Sequence, residues 1–158
     1  MSNIKPLNIW SNSDEEIGRL MSHFAHTPFV LDRVEYGSVE AFYTWLLIVN
    51  NDSKRARVAP MWGARAKHAC PKQKPDCFEY QGRKIRRYSA EHVELITRAN
   101  RAKLDAHPGI ARAFIETRPR PITHEIRGSN ADPFAVFCPM MCRLRDEYVV
   151  RLNVTEDR

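Results

Sequence analysis

The hydrophobic positions of this chain fall into short bursts between polar turns, and their period changes along its length. Asn8-Ile9-Trp10 predicts a short strand before a Ser/Asn/Asp turn. Phe29 to Tyr36 predicts a pair of short strands around an Asp32-Arg33 turn. Gly37 breaks that pattern, and Ser38 is a good N-cap. A helix is therefore expected from about Val39 to Val49, with Phe42, Trp45, Leu46 and Val49 on its core face. Residues 52–68 read as helical with an interruption at Pro60, and residues 70–84, carrying Pro71, Pro75 and Gly82, read as a loop.

Further on, Ser89 can cap a helix from about Ala90 to Ala106. Its stripe is Val93, Leu95, Ile96, Ala99 and Ala102, with Arg98, Arg101 and Lys103 largely outside it. Pro108 suits the first turn of another helix, whose face is Ile110, Ala113 and Phe114 and which ends at Thr117-Arg118-Pro119. A loop with Gly128, Ser129, Asn130 and Asp132-Pro133 follows. A last helix is expected from about Pro139 to Val150, with Met140, Met141, Leu144 and Tyr148 inward. The pattern predicts an α+β class, mostly α-helical, with four or five helices and two or three short strands. Residues 1–158 are expected to form a single domain.

Composition narrows the function classes. No run approaches the roughly 18 apolar residues of a membrane span, and Met1 to Asn8 lacks a secretory h-region. The expectation is a soluble, cytoplasmic protein with no membrane partner. Four cysteines are too few for a disulfide framework at this length. The spacing of His68, Cys70 and Cys77 fits no common zinc pattern, and Cys138/Cys142 is not a CxxC, so no metal and no cofactor are expected. The formal net charge is +6, unevenly spread. Between Lys54 and Lys103 stand 14 Lys/Arg against 4 Asp/Glu. That excess reads equally as a solvated, solubilising face or as a surface for phosphates, on a nucleotide ligand or on nucleic acid, as partners of the 54–103 region.

Glu40 is the first candidate for chemistry. With Ser38 as N-cap it lies at N2, where free N–H groups and the helix dipole favour its charged form. Such a carboxylate is expected to be ionised at neutral pH, and it suits a nucleophile, a base or a stabiliser of a cationic transition state but suits a general acid poorly; acidic residues are also common in first turns for dipole reasons alone. Asp132, before Pro133, is a second candidate carboxylate, with Asx-turn formation as the plain alternative. Tyr88 and Trp45 could stack on a base or sugar, or simply pack. The chain holds no P-loop, GxGxxG, GxSxG or HExxH motif.

Taken in order, these segments resemble one family. Asn8-Ile9-Trp10-Ser11 and Leu20-Met21-Ser22-His23-Phe24 look like its opening strand and L-S-N-F motif, with His23 in place of Asn. Pro28-Phe29-Val30-Leu31-Asp32 through Tyr36-Gly37-Ser38-Val39-Glu40-Ala41-Phe42-Tyr43 resembles its P-F-x-x-D-G-x-x-Y-x-S-x-E-H-x-Y-Q block. Arg101-Ala102-Lys103-Leu104-Asp105-Ala106-His107-Pro108 resembles R-A-K-F-x-Q-H/N-P. Thr117, Ile122 and His124-Glu125, then Asp132-Pro133-Phe134, then Met140 to Arg145 resemble the segment, the D-x-x-W loop and the L-L-M-x-L-R helix that follow. The family is NADAR (YbiA-like), and the resemblance spans nearly the whole chain.

The resemblance implies a compact α+β fold and chemistry at N-glycosidic bonds of ribose. The substrates it implies are ADP-ribose on guanine of nucleic acid, or phosphoribosylamino-pyrimidine intermediates of riboflavin synthesis. Glu40 matches the family's active-site glutamate, Asp132 its loop aspartate, and Tyr88 falls where an active-site tryptophan is expected. The motif residues His23, Ser38, Arg101 and Lys103, with Trp45 and Tyr88, are then candidates for holding the ADP-ribosyl or phosphoribosyl ligand. Two departures stand out. Leu47 replaces a lysine that many relatives carry, which leaves neither nucleophile nor cation there. Phe134 to Pro139 replaces a Gly-rich loop. A non-catalytic ADP-ribose or nucleic-acid-binding module is the alternative that Leu47 favours.

Overall fold

A computed structural model describes residues 3–156, with side chains to residue 153. Its backbone contacts group into two units: residues 23–106, and the remainder on either side of them.

In the 23–106 unit, β2 (Phe29–Leu31) and β3 (Val34–Tyr36) form the antiparallel pair expected from the sequence; β1 (Leu7–Asn8) belongs to the other unit. Asp32 and Arg33 both take positive φ, 48° and 71°, the geometry of a two-residue hairpin turn matched to strand twist. Next comes α2 (Val39–Leu47), capped by Ser38, whose Oγ accepts the Ala41 N–H at 3.0 Å. It ends two residues before the expected Val49, which is exposed rather than on the core face. The interrupted helix resolves into α3 (Asp52–Val58) and α4 (Gly63–His68). Gly37 makes their connection possible: a Cβ there would meet the Pro60 carbonyl oxygen at 2.4 Å.

The expected loop over 70–84 is in part a hairpin, β4 (Cys77–Tyr80) with β5 (Arg83–Arg86), turned by Gln81 and Gly82 at φ 50° and 76°. The prolines that suggested a loop lie before it. Phe78, Tyr80 and Ile85 point inward and join Phe29, Tyr36, Phe42, Leu46, Leu47, Leu95 and Ala99 in one core. The unit closes with α5 (Ala90–Ala106), where Ser89 Oγ accepts the His92 N–H at 3.2 Å. Asp32 ties hairpin to helix, accepting from the Tyr80 hydroxyl and from Arg98 at 3.0 Å.

In the other unit, β1 (Leu7–Asn8) pairs in parallel with β6 (Ile122–Thr123). The helices are α1 (Glu16–Met21), α6 (Pro108–Ile115) and α7 (Phe137–Glu156), with a small hairpin of β7 (Glu125–Ile126) and β8 (Ser129–Asn130). Met140, Met141, Leu144 and Tyr148 are buried as the periodicity requires, with Phe114, Ile122 and Leu7. Arg120 staples the N-terminal segment, donating to the carbonyls of Lys5 and Pro6 and to both Glu15 oxygens. The class is α+β, as expected, but with seven helices and eight short strands among the described residues. Two-residue strands carry too little pattern to be read from sequence. No described helix is long and apolar enough to cross a membrane.

Candidate active site

Helix α2 has two working faces. Phe42, Trp45 and Leu46 turn into the core, while Glu40, Tyr43, Thr44 and Leu47 recur at the i, i+3, i+4, i+7 spacing of the other face. Helix α4 packs close to that second face: Thr44 Oγ1 donates to the Ala66 carbonyl at 3.2 Å. Ser38 fixes the helix start from both sides, capping it and donating from Oγ to the Met61 carbonyl at 3.0 Å. Ser38 is fully buried, so its role is to position the first turn rather than to touch a ligand.

Glu40 stands at N2, as expected. Its amide donates to the His23 carbonyl at 3.0 Å, and the His23 imidazole lies against Asn100 Nδ2 at 3.0 Å. The helix end is expected to lower its pKa, and the direction is the reverse. Burial of the carboxyl raises its pKa, and the nearby Lys67 and Lys74 ammonium groups offset this only in part. Helix-end stabilisation is outweighed where the carboxyl leaves water. Glu40 is thereby better suited to hold and pass a proton than a surface carboxylate would be.

Around it stand residues that the sequence did not single out. Tyr43 is held protonated by burial, with the neighbouring Tyr88 phenol acting in the same direction. Burial also raises the Cys70 thiol, so it stays neutral; Thr44 and Lys74 pull the other way. His92 is only 3% exposed, and burial followed by the nearby Arg87 charge lowers its pKa to about 4. Its Nδ1 accepts the Tyr88 N–H at 3.0 Å, which puts the proton of the neutral ring on Nε2. The same ring stacks on Tyr43, with centroids 5.7 Å apart and planes 15° off parallel.

Tyr88 is 73% exposed, in a left-handed conformation at φ 66°, with the Arg87 guanidinium 5.1 Å from its ring. Most of the ring is in solvent, as the stacking role expected of it would require. Trp45 does not share that role. Tyr36 and Tyr80 meet it edge-on and the Arg55 guanidinium lies 4.1 Å over its ring, so it packs.

Lys103 is corrected more sharply. It has no exposed surface, and burial lowers its pKa to about 7. Asn100 and Lys103 widen the buried side of α5 beyond its apolar stripe, which is why the stripe alone misplaced Lys103. Arg101 is half-buried, 4.0 Å from Glu94. In the other unit, Asp132 caps α7: its two oxygens accept the N–H groups of Val136, Phe137 and Cys138 at 2.9, 3.0 and 2.9 Å. Burial raises its pKa, but these three amides lower it further, so it is ionised and occupied by backbone. Leu47 is 1% exposed within the core cluster.

No family model matches the chain, and no curated protein does. Among solved structures, the NMR structure of the E. coli protein YbiA is similar, with a TM-score of 0.66 over 99% of this chain and 89% of that one. The two sequences are 15% identical, so the likeness is one of fold.

Proposed function

We propose that this chain cleaves an N-glycosidic bond to ribose, with ADP-ribose on guanine of nucleic acid as the first substrate to test. The observation that carries the reading is the Glu40 carboxyl, half-buried at the start of α2 with its pKa raised and two lysines near it. The motif resemblance and the YbiA-like fold support the same reading.

Protonated Glu40 gives its proton to the base as the ribose C–N bond breaks, and the bonding electrons leave with the base. The carboxylate left behind then stabilises the positive charge on the anomeric carbon and ring oxygen. Water adds to that carbon and returns a proton to Glu40. Tyr88 offers its ring to the base or sugar, and Lys67 and Lys74 offer charge to phosphates. Water is the nucleophile because Leu47 supplies no amine.

Phosphoribosylamino-pyrimidines are the alternative substrates. The apolar, buried Leu47 favours a second reading, a module that binds ADP-ribose or nucleic acid without cleaving it. The test is release of free ADP-ribose from ADP-ribosylated guanine DNA, with Glu40→Gln as control. Release by wild type alone supports the glycosidase. Binding without release, from this substrate and from the pyrimidine, supports the module.

A further inference from the structure

A cavity of about 260 Å³ lies in the 23–106 unit, lined by Val49, Asn50, Arg55, Cys77, Phe78, Glu79 and Lys84. It shares no residue with the Glu40 cluster. Arg55 is its unusual member. The guanidinium is fixed by its face over Trp45, at 4.1 Å, which leaves the in-plane N–H groups as the donors available to a ligand. Its Nε is buried without a hydrogen-bond partner, and no carboxylate among the described residues pairs with Arg55. That Nε has no surface a ligand could reach, so the terminal N–H groups of Arg55 are the ones that can meet an oxyanion in the cavity.

The β4–β5 hairpin contributes Cys77, Phe78, Glu79 and Lys84 to the same cavity. Ile85 turns into the core, so Lys84 and Arg86 on either side of it face outward, roughly 6.6 Å apart along the strand. Glu79 pairs in register with Lys84 and offsets part of that charge, and Cys77 pairs with Arg86. The cavity is slightly smaller than the roughly 300–1,000 Å³ typical of small-molecule sites, so it suits one anionic group rather than a whole dinucleotide. The outward cations of β5 continue beyond it, as a repeating polyanion requires.

We propose that the Arg55–Lys84 groove holds a phosphodiester of a nucleic-acid strand that continues along Lys84 and Arg86. This inference does not depend on the glycosidase reading. It is tested with unmodified DNA, so a failed cleavage assay leaves it standing.

The experiment is fluorescence anisotropy of a labelled, unmodified single-stranded oligonucleotide, titrated with wild type, Arg55→Lys and Lys84→Ala over a range of KCl concentrations. Arg112→Ala, at an exposed position of α6, is the control. Both groove variants should weaken binding about three- to tenfold, and Lys84→Ala should reduce the salt slope by about one. Arg112→Ala should match wild type. Lys84 is on a solvent-facing strand position, so its variant keeps the test decisive if Arg55→Lys unfolds. Equal affinities for wild type and Lys84→Ala would overturn the proposal. So would calorimetric binding of inorganic phosphate that both variants lose while DNA affinity is unchanged, because the groove would then serve a free anion.

Discussion

The Glu40 amide donates to the carbonyl of His23 across 3.0 Å, so the first turn of α2 is tied to the segment just ahead of β2. One N–H that a helix start leaves free is thereby used, while Ser38 takes another at Ala41. The carboxyl of Glu40 is left on a backbone fixed from two sides. That is the arrangement a proton-transferring group needs if it is to meet its substrate in one geometry.

Tyr88 depends on His92. Replacing His92 by Phe keeps a flat ring against Tyr43 but removes the acceptor of the Tyr88 N–H. ADP-ribose binding, measured by calorimetry, should weaken several-fold, with stability falling by about 1–2 kcal/mol. His92→Gln can still accept that N–H and should recover much of the affinity. Equal loss in both variants would point to ring packing alone.

Asp132 is expected to act on stability. Asp132→Ala removes the acceptor of the Val136 amide and of the first two α7 amides, and should lower the unfolding free energy by about 1–2 kcal/mol in urea. An unchanged midpoint would show that water replaces the cap without loss.

Asp32 joins the β2–β3 turn to Tyr80 and Arg98. Asn tolerates the same left-handed backbone, so Asp32→Asn isolates the charge. A loss of about 1–2 kcal/mol is expected, discounted for the partial exposure of the Arg98 pair. Burial raises the Asp32 pKa, but Tyr80 and Arg98 together hold it below its ordinary value. The stabilisation is therefore present at neutral pH and fades as acid protonates the folded form. Thermal unfolding from pH 7 down to pH 3 should show wild type and Asp32→Asn converging.

Lys103 makes stability rise with pH as Asp32 does, but in an alkaline window. Its folded pKa is lowered to about 7, and an unfolded lysine titrates near 10.4. Between those values the unfolded chain holds the extra proton, so stability rises with pH across that window, by at most about 1.4 kcal/mol per unit. Lys103→Met should flatten the rise when urea unfolding is compared at pH 7 and pH 10. Parallel pH profiles would show that Lys103 is not the group responsible.

Much of this was legible in the sequence where local rules and tertiary packing agree. Ser38, Ser89, Pro108 and the Asp32-Arg33 turn each act through their own backbone, and each stands where the pattern put it. The β4–β5 hairpin was hidden because Gln81-Gly82 is a weaker turn signal than the prolines before it. Lys103 was misplaced because a helical stripe marks apolar burial and says nothing of a buried cation. Tyr43, Cys70 and His92 form no short motif, since α2, the segment after α4 and α5 bring them together only in the fold. Glu40 was found by its capping position, yet its pKa is raised by burial, which the sequence does not encode locally.

The central claim rests on the Glu40 carboxyl, and one comparison tests it most directly. Wild type and Glu40→Gln, matched for thermal unfolding, are incubated with ADP-ribosylated guanine DNA and free ADP-ribose is measured. Loss of the acid should reduce the rate by about 100-fold or more. Turnover by Glu40→Gln at the wild-type rate would contradict the account.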